Sequence, residues 1–260
     1  MISEISRLFN YRELLYNLVI KDIKGRYKQT VIGVGWAIFQ PLAMMVVFTI
    51  VFSLFAKVDT KNIPYPLFAY SGLLVWAFFS TAISKGIISI VQNVNLVTKI
   101  YFPRELLPFS VISSAFVDFL IAGILCFVMT LFYGIGISPY LLLLPVIVII
   151  QLTLIAGLSL FLSALNVFKR DIGYLVPITL QIWMFLSPVV YPVSLVPEKY
   201  RGIYMLNPAA GIIEGYRHCL LYGTMPPLNY LAWAGIFSFT LFCLAYVYFK
   251  NVEMKFADII

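Results

Sequence analysis

Long apolar runs separated by short polar stretches divide the chain at about 31–56, 67–92, 105–134, 139–166, 174–193 and 229–250. A helix needs roughly 20 apolar residues to cross a hydrocarbon layer of about 30 Å, so the pattern predicts six transmembrane helices, several long enough to tilt. Ahead of them, Tyr11, Leu14, Leu15, Leu18, Val19, Ile23 and Tyr27 recur at three- and four-residue spacing, with Arg12, Asn17, Lys21, Lys24 and Lys28 elsewhere around the wheel. That is the pattern of an amphipathic helix lying in the membrane interface, placed at 10–29. Pro41, Pro108 and Pro177 fall near the starts of their runs, where a missing N–H costs least, and are not expected to break the helices.

Two connections differ from short turns. Residues 93–104, NVNLVTKIYFPR, form a polar, basic loop with enough helix formers for a short surface helix that could dock a partner. Residues 194–228 are too apolar for a solvated loop and too broken by Pro and Gly for a span, which predicts short re-entrant or interfacial helices shielded by protein. The expected fold class is therefore an all-α integral membrane protein forming a single domain over 1–260.

Composition agrees: 62% of residues are hydrophobic and 11% charged, against about 25% charged in soluble domains. The net charge of +7 is a matter of orientation rather than of nucleic-acid binding, since the basic residues lie between apolar runs. With the N-terminus inside, the inner segments hold Arg7, Arg12, Lys21, Lys24, Arg26, Lys28, Lys85, Lys99, Arg104, Lys169, Arg170, Lys250 and Lys255, which is 13 of the 18 basic residues. The outer ones hold Lys57, Lys61, Lys199, Arg201 and Arg217, so both termini are expected in the cytoplasm. The basic residues scattered through the first 30 positions do not form a secretory signal.

Catalytic chemistry is sparse. The one histidine, His218, lies near Glu214 and Arg217, where a catalytic cluster is weighed against an interfacial histidine. No metal-ligand set can be assembled, Cys126, Cys219 and Cys243 form neither a C-x-x-C site nor a disulfide framework, and no cofactor is expected in this chain. No phosphate-binding loop occurs, so any ATP and Mg chemistry belongs to a partner chain. Asp118 is the one well-embedded carboxylate, readable as an ion site or as a carboxylate bonded to a neighbouring helix, with no second embedded charge in view as its partner. Aromatics make up 17% of residues; Trp36, Trp76, Trp183, Trp233, Tyr70, Tyr101, Tyr191 and Tyr204 sit near many segment ends, as interfacial belts require. Some aromatics are alternatively candidates for lining a sugar conduit, namely Trp36, Trp76, Phe79, Trp183 and Tyr191.

Three stretches carry a family resemblance: Lys24, Arg26, Tyr27, Thr30, Gly33, Trp36 and Pro41 in KGRYKQTVIGVGWAIFQP; Asn166, Val167, Phe168, Arg170 and Asp171 in NVFKRDI; and Ser187, Pro188, Val190 and Tyr191 in LSPVVYP, followed by Asn207 and Pro208. Over nearly its whole length the chain resembles type 2 ABC transporter permeases of the polysaccharide and polyol-phosphate export group, which includes O-antigen, capsule and teichoic-acid exporters. The resemblance implies a permease, not an enzyme, of the bacterial inner membrane. It further implies a homodimer of this chain joined to two copies of a separate ATP-binding subunit, exporting polysaccharide on an undecaprenyl-diphosphate carrier. The loop from Lys99 through Tyr101 and Arg104 to Glu105 would then be the element that rests in the ATPase. A lipid diphosphate needs cations at the cytoplasmic mouth, a role open to Arg26, Lys28, Lys169 and Arg170. For Arg170, an ion pair with Asp171 or simple anchoring is the alternative. The rival reading is a membrane-embedded glycosyl- or acyltransferase on lipid-linked sugars, with Glu198, Glu214 and His218 as its outer candidates.

Overall fold

A computed structural model describes residues 10–28, 30–60 and 63–259, without the side chains of residues 257 and 258. Arg7 and Lys61 of the charge count, and the last residue of the predicted interfacial helix, lie outside the described residues. Within them the chain is helical, with no strand.

Helix α1 (Arg12–Tyr27) turns Tyr11, Leu14, Leu15 and Leu18 onto a cluster made by the ends of later helices. Its inward stripe does not stay apolar: Asp22 and Arg26 continue it at four-residue spacing, so amphipathicity fades toward its C-terminal end. A 3-10 turn (Gly33–Gly35), α2 (Trp36–Phe48) and a π-helical turn (Thr49–Phe55) form one apolar rod of 23 residues. Next come α3 (Tyr65–Gln92), the short α4 (Val94–Lys99) and α5 (Leu106–Phe132). A 3-10 turn (Pro139–Leu143) leads into α6 (Leu144–Phe168), followed by α7 (Ile172–Phe185). Two short helices, α8 (Glu198–Tyr204) and α9 (Pro208–Arg217), precede a π-helical turn (His218–Tyr222) and α10 (Leu228–Val252); α11 (Phe256–Ile259) ends the described chain. Pro41 and Pro177 lie inside α2 and α7, and both helices run through them.

Five helical segments among the described residues are long and apolar enough to cross a membrane: Gly33–Phe55, Tyr65–Gln92, Leu106–Phe132, Pro139–Phe168 and Leu228–Lys255. The sixth predicted run, 174–193, is helical only to Phe185. Its 14 residues give a rod of about 21 Å, short of a full hydrocarbon layer. The cause is local: Pro188 has no N–H, and the N–H of Val189 turns back to Ser187 O at 2.7 Å instead of continuing the helix.

Helix α3 is the axis of the fold, the most enclosed of the long helices, and packs against α2, α5, α6 and α7. Between such apolar helices water supplies little drive, and close approach at small residues does more. A Cβ on Gly157 of α6 would stand 3.0 Å from the Phe242 backbone nitrogen of α10. Around α3 the core is aromatic at its centre, and a second cluster at one end joins α1, α4, α5, α6, α10 and α11 through Leu18, Val97, Phe102, Phe249 and Phe256.

Candidate functional site

Three constructions stand out from the apolar background, each built around charge or broken backbone.

The first joins α1 to α5. Ser110, Ser114 and Asp118 recur every four residues on α5 and so share one face, opposite Asp22 and Arg26 on α1. The Ser110 hydroxyl donates to Asp22 at 3.4 Å, Arg26 donates to both Ser114 and Asp118, and Tyr27 Oη donates to Asp118 at 2.8 Å. Lys21 adds a tie to Asn93 at 2.8 Å, at the end of α3. Asp118 therefore has an embedded partner after all. The pairing joins residues 92 positions apart and could not be read from either helix alone. Burial and the neighbouring Asp118 carboxylate push the Tyr27 phenol up to about 12, so it stays a donor at neutral pH. Beside this pair lies a cleft of about 320 Å³, bounded by Arg26, Tyr27, Gln40, Thr81, Lys85 and Asp118 on its polar side and by Leu74, Phe78 and Phe119 among its apolar residues. Trp36, 42% exposed, also lines it.

The second holds the break after α7. Six consecutive carbonyls, from Phe185 to Val190, are each satisfied. Tyr191 Oη donates to Phe185 O at 2.7 Å, Asn207 Nδ2 to Leu186 O at 3.2 Å, and the Val189 N–H to Ser187 O. Arg217 donates to Pro188 O at 2.5 Å and to Val189 O at 2.7 Å, and Tyr65 Oη donates to Val190 O at 2.7 Å. Irregular backbone in an apolar setting survives only when such groups are paired. Arg217 is fully buried, paired with Glu214 at 3.1 Å, and stacks its guanidinium 3.6 Å from the Phe68 ring centroid. A Cβ on Gly72 would come 2.1 Å from Val189 O, so only glycine lets α3 meet this segment. Asn207 also caps α9 by accepting from the Ala209 N–H at 3.1 Å, and its Oδ1 accepts from Trp183 Nε1 at 3.1 Å. Sequence reading left Arg217 as one outer charge among five; its partners lie 28, 29 and 149 positions away.

The third is the loop before α5. Ile100 and Tyr101 are 55% and 73% exposed, and Lys99 is exposed as well. Arg104 turns inward to donate to the Glu253 backbone carbonyl, and Glu105, fully buried, meets Lys250 at 2.6 Å. Lys250 also reaches Glu253 at 3.1 Å. Glu105 is thus not a docking residue but an anchor, because its carboxylate is enclosed with its counter-ion on α10.

The remaining sequence candidates divide. Lys28, Lys169 and Arg170 are exposed, and no ion pair links Arg170 to Asp171 among the described residues. Asn166 bridges the turn that holds Lys169 and Arg170 to α3: its Nδ2 donates to Ile87 O at 3.3 Å and its Oδ1 accepts from the Gly173 N–H at 2.9 Å. Trp76 and Phe79 are 6% and 3% exposed, and Trp183 meets both edge-on at 6.3 Å and 5.3 Å. These two are core residues between α3 and α7 rather than conduit lining, because their rings are enclosed by other rings of the same chain. Tyr191 is partly exposed and receives a hydrogen bond from Tyr204 Oη at 3.1 Å. Of the outer candidates for catalysis, Glu214 is engaged by Arg217, His218 Nδ1 lies 2.8 Å from Thr224 Oγ1, and Glu198 pairs with Arg201 at 3.4 Å. No group of three or more His, Cys, Asp or Glu side chains suited to a metal ion occurs among the described residues.

The ABC-2 type transporter family matches residues 13–221, which takes in the Arg26–Asp118 pair, the exposed loop and the satisfied break. The chain belongs to the ABC-2 type transporter family. Its relatives match over most of their length. It is 33% identical to the O-antigen export system permease protein RfbA of Myxococcus xanthus across 99% of both chains. A Klebsiella pneumoniae protein of the same description is 29% identical across 95% of both. The polysialic acid transport protein KpsM of Escherichia coli is 24% identical across 83% of this chain and 85% of its own. As an ABC-2 family member the chain is a membrane permease, not an enzyme, and the transferase reading has no support.

Proposed function

We propose that this chain is the membrane subunit of an ATP-driven exporter that moves an undecaprenyl-linked polysaccharide across the bacterial cytoplasmic membrane; the names of its relatives, an O-antigen export permease and a polysialic acid transport protein, support a polysaccharide cargo. Two copies of the chain pair with each other and with two copies of an ATP-binding subunit, which holds the ATP and Mg. Both termini face the cytoplasm, and α7 with the satisfied break and the buried α9 completes the sixth crossing, α9 entering from the outer side. Lys28, Lys169 and Arg170 supply positive charge at the cytoplasmic mouth, where a lipid diphosphate is attracted. Trp36, Trp183 and Tyr191, each at least partly exposed, are the aromatic candidates for contact with sugar.

The observation that carries the reading is the exposed loop before α5. Its tip, Lys99 to Tyr101, projects outward, while Arg104 and Glu105 lock its base to the end of α10. A push on that tip is transmitted to two spans at once, as coupling to a moving ATPase requires. The test is to co-express the chain with the ATP-binding protein encoded beside it, purify through a tag on this chain, and assay ATP hydrolysis with and without lipid-linked polysaccharide. A stable complex with substrate-responsive hydrolysis is expected, and Tyr101→Ala should reduce the response severalfold while leaving the chain's own melting temperature unchanged. Failure of any ATPase to co-purify with a stable chain would remove the coupling role.

A further inference from the structure

The cleft beside the Arg26–Asp118 pair contains a second cation that the pair does not neutralise. Lys85 lies on α3, half-buried, and lines the cleft with Thr81, Gln40 and Tyr27. Among the described residues it has no hydrogen bond or ion pair. The charged groups that act on it are Arg26, Asp118 and Asp22. Arg26 and Asp118 engage each other, while Asp22 attracts Lys85 only from beyond pairing distance and does not line the cleft. A half-buried ammonium whose nearest carboxylates stand beyond pairing distance is only partly offset, and an anion reaching the cleft supplies the direct contact it lacks. Around it stand hydroxyl and amide groups suited to phosphate oxygens, while Leu74, Phe78 and Phe119 give the same cleft an apolar wall. A volume of about 320 Å³ accommodates a headgroup with the first part of a hydrocarbon chain.

We infer that Lys85 is the anion-binding residue of this cleft, and that its ligand is the phosphate headgroup of a membrane lipid whose hydrocarbon chain follows the apolar wall. This rests on the exporter reading for the choice of an isoprenoid diphosphate as the first lipid to try. Arg26 holds α1 against α5, and Lys85 supplies the charge that binds.

The experiment uses the permease–ATPase complex in maltoside micelles, which carry no phosphate, and measures lipid binding by native mass spectrometry. Undecaprenyl diphosphate, undecaprenol, phosphatidylglycerol and inorganic diphosphate are titrated into wild type, Lys85→Gln and Lys85→Arg. Loss of one charged phosphate contact should weaken undecaprenyl diphosphate binding roughly tenfold or more in Lys85→Gln. Lys85→Arg should retain most of it, and undecaprenol binding should be the same in all three. A dependence on Lys85 confined to the isoprenoid diphosphate supports the inference with export substrate as the source; an equal dependence for phosphatidylglycerol supports it with bulk lipid as the source. Equal binding of undecaprenyl diphosphate by wild type and a Lys85→Gln variant of unchanged melting temperature would overturn it. So would inorganic diphosphate binding as tightly as the lipid. The exporter reading is checked separately by substrate-responsive ATP hydrolysis of the wild-type complex, so either idea can fail while the other stands.

Discussion

Two arginines, each paired with a carboxylate, define two very different places in this molecule. Arg217 is fully buried and surrounded by acceptors of its own chain: carbonyls of residues 68, 188 and 189 and the Glu214 carboxylate. Arg26, with its side chain 18% exposed, meets Ser114 and Asp118 and forms part of the wall of an open cleft. The first arrangement replaces the hydrogen bonds a continuous helix would have made, and leaves no room for a ligand. The second fastens α1 to α5 while leaving one side of the site accessible, with a lysine that has no direct ion pair beside it. Charge inside a membrane protein is thus not one kind of signal. What separates the two places is whether the chain's own acceptors enclose the cation completely or leave one side open to a cleft.

The strongest way to break this comparison is Arg217→Ala. Leaving three buried carbonyls and a carboxylate unmatched should cost about 3–5 kcal/mol, seen as a fall on the order of 10 °C in the melting temperature in detergent. Arg217→Lys should recover little, because an ammonium cannot reproduce the planar fork across Pro188 O and Val189 O. An alanine variant as stable as wild type would show that the break is held by other contacts.

A smaller effect should come from the exposed member of the comparison. Asp118→Ala and Arg26→Ala should each cost about 1–2 kcal/mol, discounted for the partial exposure of the pair. A double-mutant cycle should return a coupling energy between them of at least about 0.5 kcal/mol. Additive effects would mean that the ion pair does not fasten α1 to α5.

The smallest concerns Asp22, in the same interhelical contact. Burial pushes its carboxyl above the usual carboxylate range, with Lys21, Ser110, Arg26 and Lys85 pulling it partly back. The folded protein then binds that proton more tightly than the unfolded chain does. Stability contributed by this group therefore falls as pH rises from the ordinary carboxyl value through the raised one. Asp22→Asn should remove that slope and be neutral or slightly stabilising at neutral pH; melting curves from mildly acidic to neutral pH would show it. A variant that loses stability at neutral pH would mean that the ionised carboxylate is needed.

Much of the architecture was legible in the order of residues alone. Five of the six apolar runs became long helices, since a lipid-spanning helix is recorded in about 20 consecutive residues and needs no distant partner to be recognised. The exposed loop before α5 was legible too, from its polarity between two apolar runs. The sixth run was misjudged in length because apolarity continues past Ser187 and Pro188, while helical hydrogen bonding does not. In hindsight Ser110, Ser114 and Asp118 at four-residue spacing announced a polar face on α5, but not what faced it.

Sequence by itself determined the solvent and five of the long helices, because each follows from local composition. Only the tertiary structure decided which charges are engaged. Arg26 found Asp118 across 92 positions, Arg217 found Phe68 across 149, Glu105 met Lys250 of α10, and Lys85 faces a cleft without a direct ion pair among the described residues. Those outcomes depend on distances between helices, and a charge in a low-dielectric setting takes its role from whatever stands within a few ångströms of it.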